Sequence, residues 1–206
     1  MIQKVLAQRT RQFTVVLEDI YKPHNASAVI RTCDCFGIQD VHVIEKTSQY
    51  KINPYVTRGA AQWVDLHKYY SPNGSSVDLC FDQLKKEGYR IVGTRPDATS
   101  KRIQDLDKSQ KLALVFGNEH EGISKEVISR CDELIHIPML GFTESFNISV
   151  SAAICLYELT RESKESRSES YFLSPEEKEE ITYRWFRDIV KNVEAHEAKF
   201  LKDFAV

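Results

Sequence analysis

Three short polar stretches hold residues able to do chemistry. Asn25 and Arg31 stand six positions apart, Gly117, Asn118 and Glu119 follow an apolar run, and Ser145, Phe146 and Asn147 precede a helix-forming segment. Amides and hydroxyls at such points orient a polar ligand, and a guanidinium, which stays protonated, grips phosphate oxygens. Arg31 sits on an otherwise apolar helix, where an unpaired charge is costly. Two partners are open to it: a structural ion pair, or an arriving anion such as phosphate. Other chemistries lack their signatures. No G-x-G-x-x-G follows a strand, and no GK[ST], serine-centred elbow or H-E-x-x-H occurs. The six histidines show no ligand spacing, and the five cysteines form no C-x-x-C pair, so a reduced, cytoplasmic setting without zinc is expected.

Alternating elements must position these residues. The β-branched run Phe13 to Glu18 predicts a strand, and a helix capped by Asn25 or Ser27 follows, ending at Gly37. Further strands are expected at Val41 to Glu45, Val64 to Tyr70, Tyr89 to Thr94, Leu112 to Phe116 and Leu134 to Met139. Amphipathic spacing predicts helices at Ser76 to Glu87 and Gly122 to Cys131, while residues 94 to 107 read as a polar loop. From Asn147 onward small and apolar residues alternate, giving a buried helix capped by Asn147 or Ser145. This order is that of an α/β protein with a parallel sheet. Each of the three polar stretches follows a strand, and ligands bind at such carboxyl ends. In the tail, Ser174 and Pro175 open one long helix whose stripe runs Ile181, Trp185, Ile189, Val193, His196, Phe200, Phe204. That face must pack on its own domain or on another subunit.

The 206 residues suit one domain with an appendage, and the composition, 42% hydrophobic and 28% charged, is that of a soluble protein. No run approaches the roughly 18 apolar residues of a membrane span, and the N-terminus lacks a signal-peptide core. Net charge is −2, with 8 Lys/Arg against 11 Asp/Glu in residues 162 to 206. Nucleic-acid binding therefore has to rest on local clusters. Candidate phosphate partners are Arg9 and Arg11 near the start, Arg58 in a loop that also carries Tyr50, Tyr55 and Trp63, and Arg161, Lys164 and Arg167 in a Ser/Glu-rich linker. Their affinity for nucleic acid would fall with added salt.

Taken together, KPHNASAVIRTCD, LVFGNEHEGIS and IPMLGFTESFNISVSAAICLYE are specific in order and spacing. Over about residues 13 to 161 the chain resembles the SPOUT class of methyltransferases. Within that class it is most similar to the SpoU-type tRNA ribose 2′-O-methyltransferases of the TrmH family, which modify guanosine-18 of the D-loop. The resemblance implies a parallel α/β sheet with a deep trefoil knot at about residues 112 to 161, a homodimer, and tRNA as the partner. It divides the chain into an N-terminal basic segment (1 to 12), the methyltransferase domain (13 to 161), and a linker with a C-terminal amphipathic helix (162 to 206).

S-adenosylmethionine would lie against Thr94, Gly117, Ile137, Met139 and Phe146, largely through backbone groups. Arg31 would hold the phosphate beside the reacting ribose and stabilise negative charge on its 2′-oxygen. Asn25, Ser145 and Asn147 would orient ribose and loop, and Glu119 would fix Arg31 or the knot loop. Two residues depart from the family pattern: Phe146 where leucine is usual, and Glu144 where glutamine is. The competing expectations are methylation of the tRNA wobble ribose or of rRNA, and a knotted RNA-binding protein without turnover.

Overall fold

The computed structural model describes residues 1–47, 51, 53–97, 99–161 and 168–204. Its centre is a seven-stranded, all-parallel sheet, six of whose strands fall on the runs read above. The strands are β1 (Phe13–Glu18), β2 (Asp40–Ile44), β3 (Asp65–Tyr69), β4 (Arg90–Thr94), β5 (Lys101–Arg102), β6 (Leu112–Phe116) and β7 (Glu133–His136). They lie side by side in the order β3-β2-β1-β6-β4-β7-β5. The helices are α1 (Ile2–Leu6), α2 (Pro23–Cys35), α3 (Pro54–Thr57), α4 (Ser76–Lys86), α5 (Lys125–Arg130), α6 (Ile148–Thr160), α7 (Pro175–Ile189) and α8 (Val193–Phe204).

The two-residue alternation of strand side chains separates two cores. Val15, Leu17, Leu112, Leu114 and Phe116 join Val29, Ile30 and Cys33 of α2 and Ala152, Cys155 and Leu156 of α6 on one face. On the other face Val16, Ala113 and Val115 meet Val77, Phe81 and Leu84 of α4 and Val127 of α5. Because helices cover both faces, β1 and β6 are buried along their whole length; Leu112–Phe116 is an unbroken apolar run, while Phe13–Glu18 also buries Thr14 and Glu18.

Four expectations need correction. Helix α2 starts at Pro23, with Lys22 as its cap, because proline at the first helical position has no N–H to satisfy; this leaves Asn25 free to face elsewhere. The loop at 94 to 107 contains the short edge strand β5, which pairs with β7, and a 3-10 turn that buries Ile103 and Leu106. Helix α5 begins only at Lys125, capped by Ser124, since Gly122 turns with a φ of 71° and sends Ile123 into the core. The tail is two helices, not one. Val190 is extended and Asn192 is left-handed at φ 55°, a conformation asparagine tolerates, and among the described side chains of the stripe only Ile181 and Trp185 are buried.

The N-terminal residues are not a frayed basic edge. Leu6 of α1 packs with Leu173, Ile181 and Trp185 in a third, small core. Arg9 is 1% exposed, donates to the Ile38 carbonyl at 3.1 Å, pairs with Asp34 and lies over the Trp185 ring. Burial pushes its pKa down while Asp34 pulls it back. Arg11 spends its guanidinium on Asp40 (2.7 Å), Glu177 (2.7 Å) and Asp65 (3.0 Å). Both arginines tie the tail to the sheet. They are not the free phosphate partners expected of them, because Arg9 is buried and the donors of Arg11 already face three carboxylates.

Trp185→Ala should therefore destabilise the protein by about 3 kcal/mol or more, since it empties a buried aromatic site and uncovers Arg9. Urea unfolding followed by circular dichroism measures this, and a loss well under 1 kcal/mol would show that the third core contributes little. A pH effect is expected beside it. The hydrogen bond from His67 to Asp40 (2.8 Å) raises His67 above its ordinary 6.5 against partial burial. A raised folded-state value stabilises fully below 6.5 and ceases to as pH rises through the elevated value. As pH rises from 6.5 through the elevated value, wild-type stability should thus fall relative to His67→Gln in thermal melts.

Candidate active site

The three polar stretches meet at the carboxyl end of the sheet. Asn25, 7% exposed in the first turn of α2, donates from Nδ2 to Glu119 Oε1 at 2.5 Å. Its Oδ1 accepts from Asn147 Nδ2 at 3.3 Å. Asn147 in turn caps α6, its Oδ1 accepting from the Ser149 N–H at 2.9 Å and the Ser149 hydroxyl at 2.7 Å. Residues from three distant segments thereby form one chain of hydrogen bonds. Glu119 Oε2 is buried without a partner among the described residues, so the network ends on a free acceptor.

Glu119 stands in a turn that only glycine can close. A Cβ at Gly117 would come within 1.9 Å of the Gly122 carbonyl carbon, and the Gly122 N–H donates to Asn118 O at 3.0 Å. Asn118 Oδ1 also accepts from the N–H groups of His120 and Glu121, at 3.0 and 2.8 Å. The Gly-Asn pair thus sets the loop that presents Glu119 to Asn25. This local role is legible in the sequence only as a glycine after a strand.

Arg31 lies elsewhere than expected. It is exposed, and among the described residues it has neither an ion-pair nor a hydrogen-bond partner; Glu119 bonds Asn25 instead. The structural ion pair considered for Arg31 is therefore not formed. Arg31 lines a groove between α2 and α6 with His24, Tyr55, Arg58, Ser149 and Val150. Arg58 joins it from a left-handed turn at φ 47°. Of the other expected cations, Arg161 pairs with Glu158 at 3.1 Å, and Lys164 and Arg167 lie outside the described residues.

On the opposite flank of α6 is an open cleft. Its walls include Thr94, Ile137, Met139 and Phe146, four of the five residues expected at the cofactor, and Ser145. Gly117 is absent from the wall, its place being steric as described. Residues missed by sequence reading, Arg95, Pro96, Ile135, His136, Ser151 and Cys155, complete it. The signal for the last two was present: the small residues of α6 let the β7 loop approach. Groove residues Ser149, Val150, Ala153 and Ile154 and cleft residues Ser151 and Cys155 fall on different sides of α6 by helical spacing. Among the described residues no helix is long and apolar enough to cross a membrane.

A family model described as the SpoU rRNA Methylase family matches residues 12–157, most of the chain. The chain belongs to this SpoU methylase family. Among similar proteins is the tRNA (guanosine(18)-2'-O)-methyltransferase of Borreliella burgdorferi, 43% identical over 93% of this chain and 85% of the relative. The crystal structure of the A. aeolicus TrmH/SpoU tRNA modifying enzyme superposes with a TM-score of 0.79 at 31% identity, covering 92% of this chain and 95% of that one. The SpoU methyltransferase AviRb from Streptomyces viridochromogenes, in complex with the cofactor AdoMet, shares the fold with a TM-score of 0.59 at 24% identity over 77% of this chain and 60% of AviRb. The α/β parallel fold read from the sequence is thus that of SpoU methylases, whose matched span contains all three polar stretches.

Proposed function

We infer that this chain transfers a methyl group from S-adenosylmethionine to a ribose 2′-oxygen of tRNA, that of guanosine-18. The observation that carries the reading is the bond chain Glu119–Asn25–Asn147, which joins the three family stretches beside the cleft. The Borreliella relative, similar along nearly the whole chain, bears the guanosine-18 name.

The cleft suits the cofactor by its chemistry. Ile135, Ile137, Met139 and Phe146 offer apolar surface to a flat base, Ser145 and Ser151 offer hydroxyls, and Arg95 offers a positive charge, with no carboxylate in the wall. S-adenosylmethionine bound there supplies an electrophilic methyl carbon. Phe146, 43% exposed, keeps an apolar wall where the family has leucine, so this departure leaves the slot intact. We read residues 112 to 161 as the deep trefoil knot, since the loop after β7 and the start of α6 close the cleft against Thr94 of β4.

Arg31 acts as an electrostatic group. Its guanidinium remains protonated, so it grips the phosphate next to the reacting ribose and stabilises negative charge developing on the 2′-oxygen. Asn25, Asn147 and Glu119 hold α2 and α6 in register, and Ser145 meets the ribose from the cleft side. Positioning supplies much of the remaining acceleration.

The groove of Arg31 and the cleft of the same chain lie on different flanks of α6. A homodimer resolves this separation by placing the groove of one chain at the cleft of its partner. Two features support such pairing: Val150 and Tyr157 on the groove side of α6, and Leu140 and Phe142 in the cleft loop, are large apolar residues left exposed. Methyl transfer from labelled S-adenosylmethionine to unmodified total tRNA, followed by mapping of ribose-methylated nucleotides, tests the function. Label at guanosine-18 is the expected result. Label at the wobble ribose or on rRNA would move the substrate, and no label on any RNA would overturn the enzymatic reading.

A further inference from the structure

We propose that Arg95 is the anion-binding end of the cleft and pairs with the carboxylate of the cofactor's amino-acid portion. This rests on the cleft being the S-adenosylmethionine site. Arg95 directly follows β4, its backbone pinned by donation from its N–H to the Ile135 carbonyl at 2.9 Å. The side chain borders the cleft and is 48% exposed, so a ligand can reach it.

Its one ion-pair partner among the described residues holds it loosely. The nearest carboxylate oxygen, Asp97 Oδ2, is 3.8 Å from Nε, beyond hydrogen-bond distance. The other Asp97 oxygen is taken by the Thr99 N–H at 3.0 Å and the Thr99 hydroxyl at 2.9 Å. Asp97 thus spends one oxygen on its own turn and faces Arg95 with the other only at long ion-pair range, so the guanidinium makes no hydrogen bond among the described residues and can turn its donors to a ligand. The rest of the wall offers no equivalent. His136 is the other titratable side chain of the imidazole or guanidinium kind there, and its Nδ1 lies 2.9 Å from the Ser100 carbonyl. Thr94 turns its hydroxyl to the Val115 carbonyl at 2.9 Å. A ligand whose nucleoside end fills the apolar part of the slot has one fixed positive charge available for its acidic end. A guanidinium fork matches a carboxylate in shape as well as sign.

Calorimetric titration of the full chain with S-adenosylhomocysteine and with 5′-methylthioadenosine separates the two ends, because the second lacks the amino-acid portion. Arg95→Gln should weaken S-adenosylhomocysteine binding about tenfold and leave 5′-methylthioadenosine unchanged, which also shows that the variant is folded. Arg95→Lys should recover part of the loss, since charge returns without the fork. Unchanged S-adenosylhomocysteine binding, or equal losses for both ligands, would overturn the role of Arg95 while leaving the cleft as the nucleoside site. A wild-type chain that binds neither ligand would overturn the reading of the cleft, and this assignment with it.

Discussion

Arg31→Ala is expected to slow methyl transfer by roughly 10²- to 10³-fold, the range found when one preorganised donor is removed from developing negative charge. Three observations argue for an effect of that size. Arg31 is exposed and has no partner among the described residues, so its charge is not consumed by the fold. It shares a groove with Arg58 and with Ser149, whose hydroxyl donates to the capping Asn147. It also lies on α2, which packs against α6 and is fixed at its first turn by the Asn25 bonds. Because Arg31 supports no other side chain, the alanine variant should keep its melting temperature and its affinity for S-adenosylhomocysteine. Arg31→Lys should recover little, since a point charge does not reproduce the two-pronged grip on phosphate. Single-turnover kinetics with saturating tRNA isolates the chemical step. A wild-type rate there would remove Arg31 from the site.

The second large effect comes from mixing two inactive proteins. Ser151→Trp should fill the cleft from α6, abolishing cofactor binding without touching the groove on the other flank. If groove and cleft of different chains form each site, Arg31→Ala mixed with Ser151→Trp gives heterodimers in which one of two sites combines an intact groove with an intact cleft. Random re-pairing after mild denaturation should then restore about a quarter of wild-type activity. If each chain holds its whole site, the mixture stays as inactive as its components. A sedimentation experiment showing only monomers would reject the pairing outright.

Much of this protein is decided by local sequence. The central strands are legible because burial on both faces demands runs rich in β-branched and aliphatic residues, as in Phe13–Glu18 and Leu112–Phe116. The cap of α6 by Asn147 is local too, since a side-chain oxygen two residues from a free N–H has little choice. Asn25, Glu119 and Asn147 could be named from three family stretches, and the cleft residues Thr94, Ile137, Met139 and Phe146 with them.

What the tertiary structure alone decided are the partners of charges. Arg9, Arg11 and Arg31 look alike as isolated basic residues in the sequence. Arg9 is buried because Trp185, 176 positions later, folds over it beside Asp34. Arg11 is spent because β2, β3 and α7 bring Asp40, Asp65 and Glu177 to one point. Arg31 has no partner among the described residues, because the contact to Glu119 Oε1 is made by Asn25 and not by a guanidinium. The break at Asn192, likewise, interrupts a stripe that continues on paper, and of its described side chains Ile181 and Trp185 are the ones that reach the third core. Hydrophobic periodicity is a property of neighbours along the chain and can be read there. A charge's role depends on which distant carboxylate reaches it within about 3 Å, and only the folded chain sets that distance.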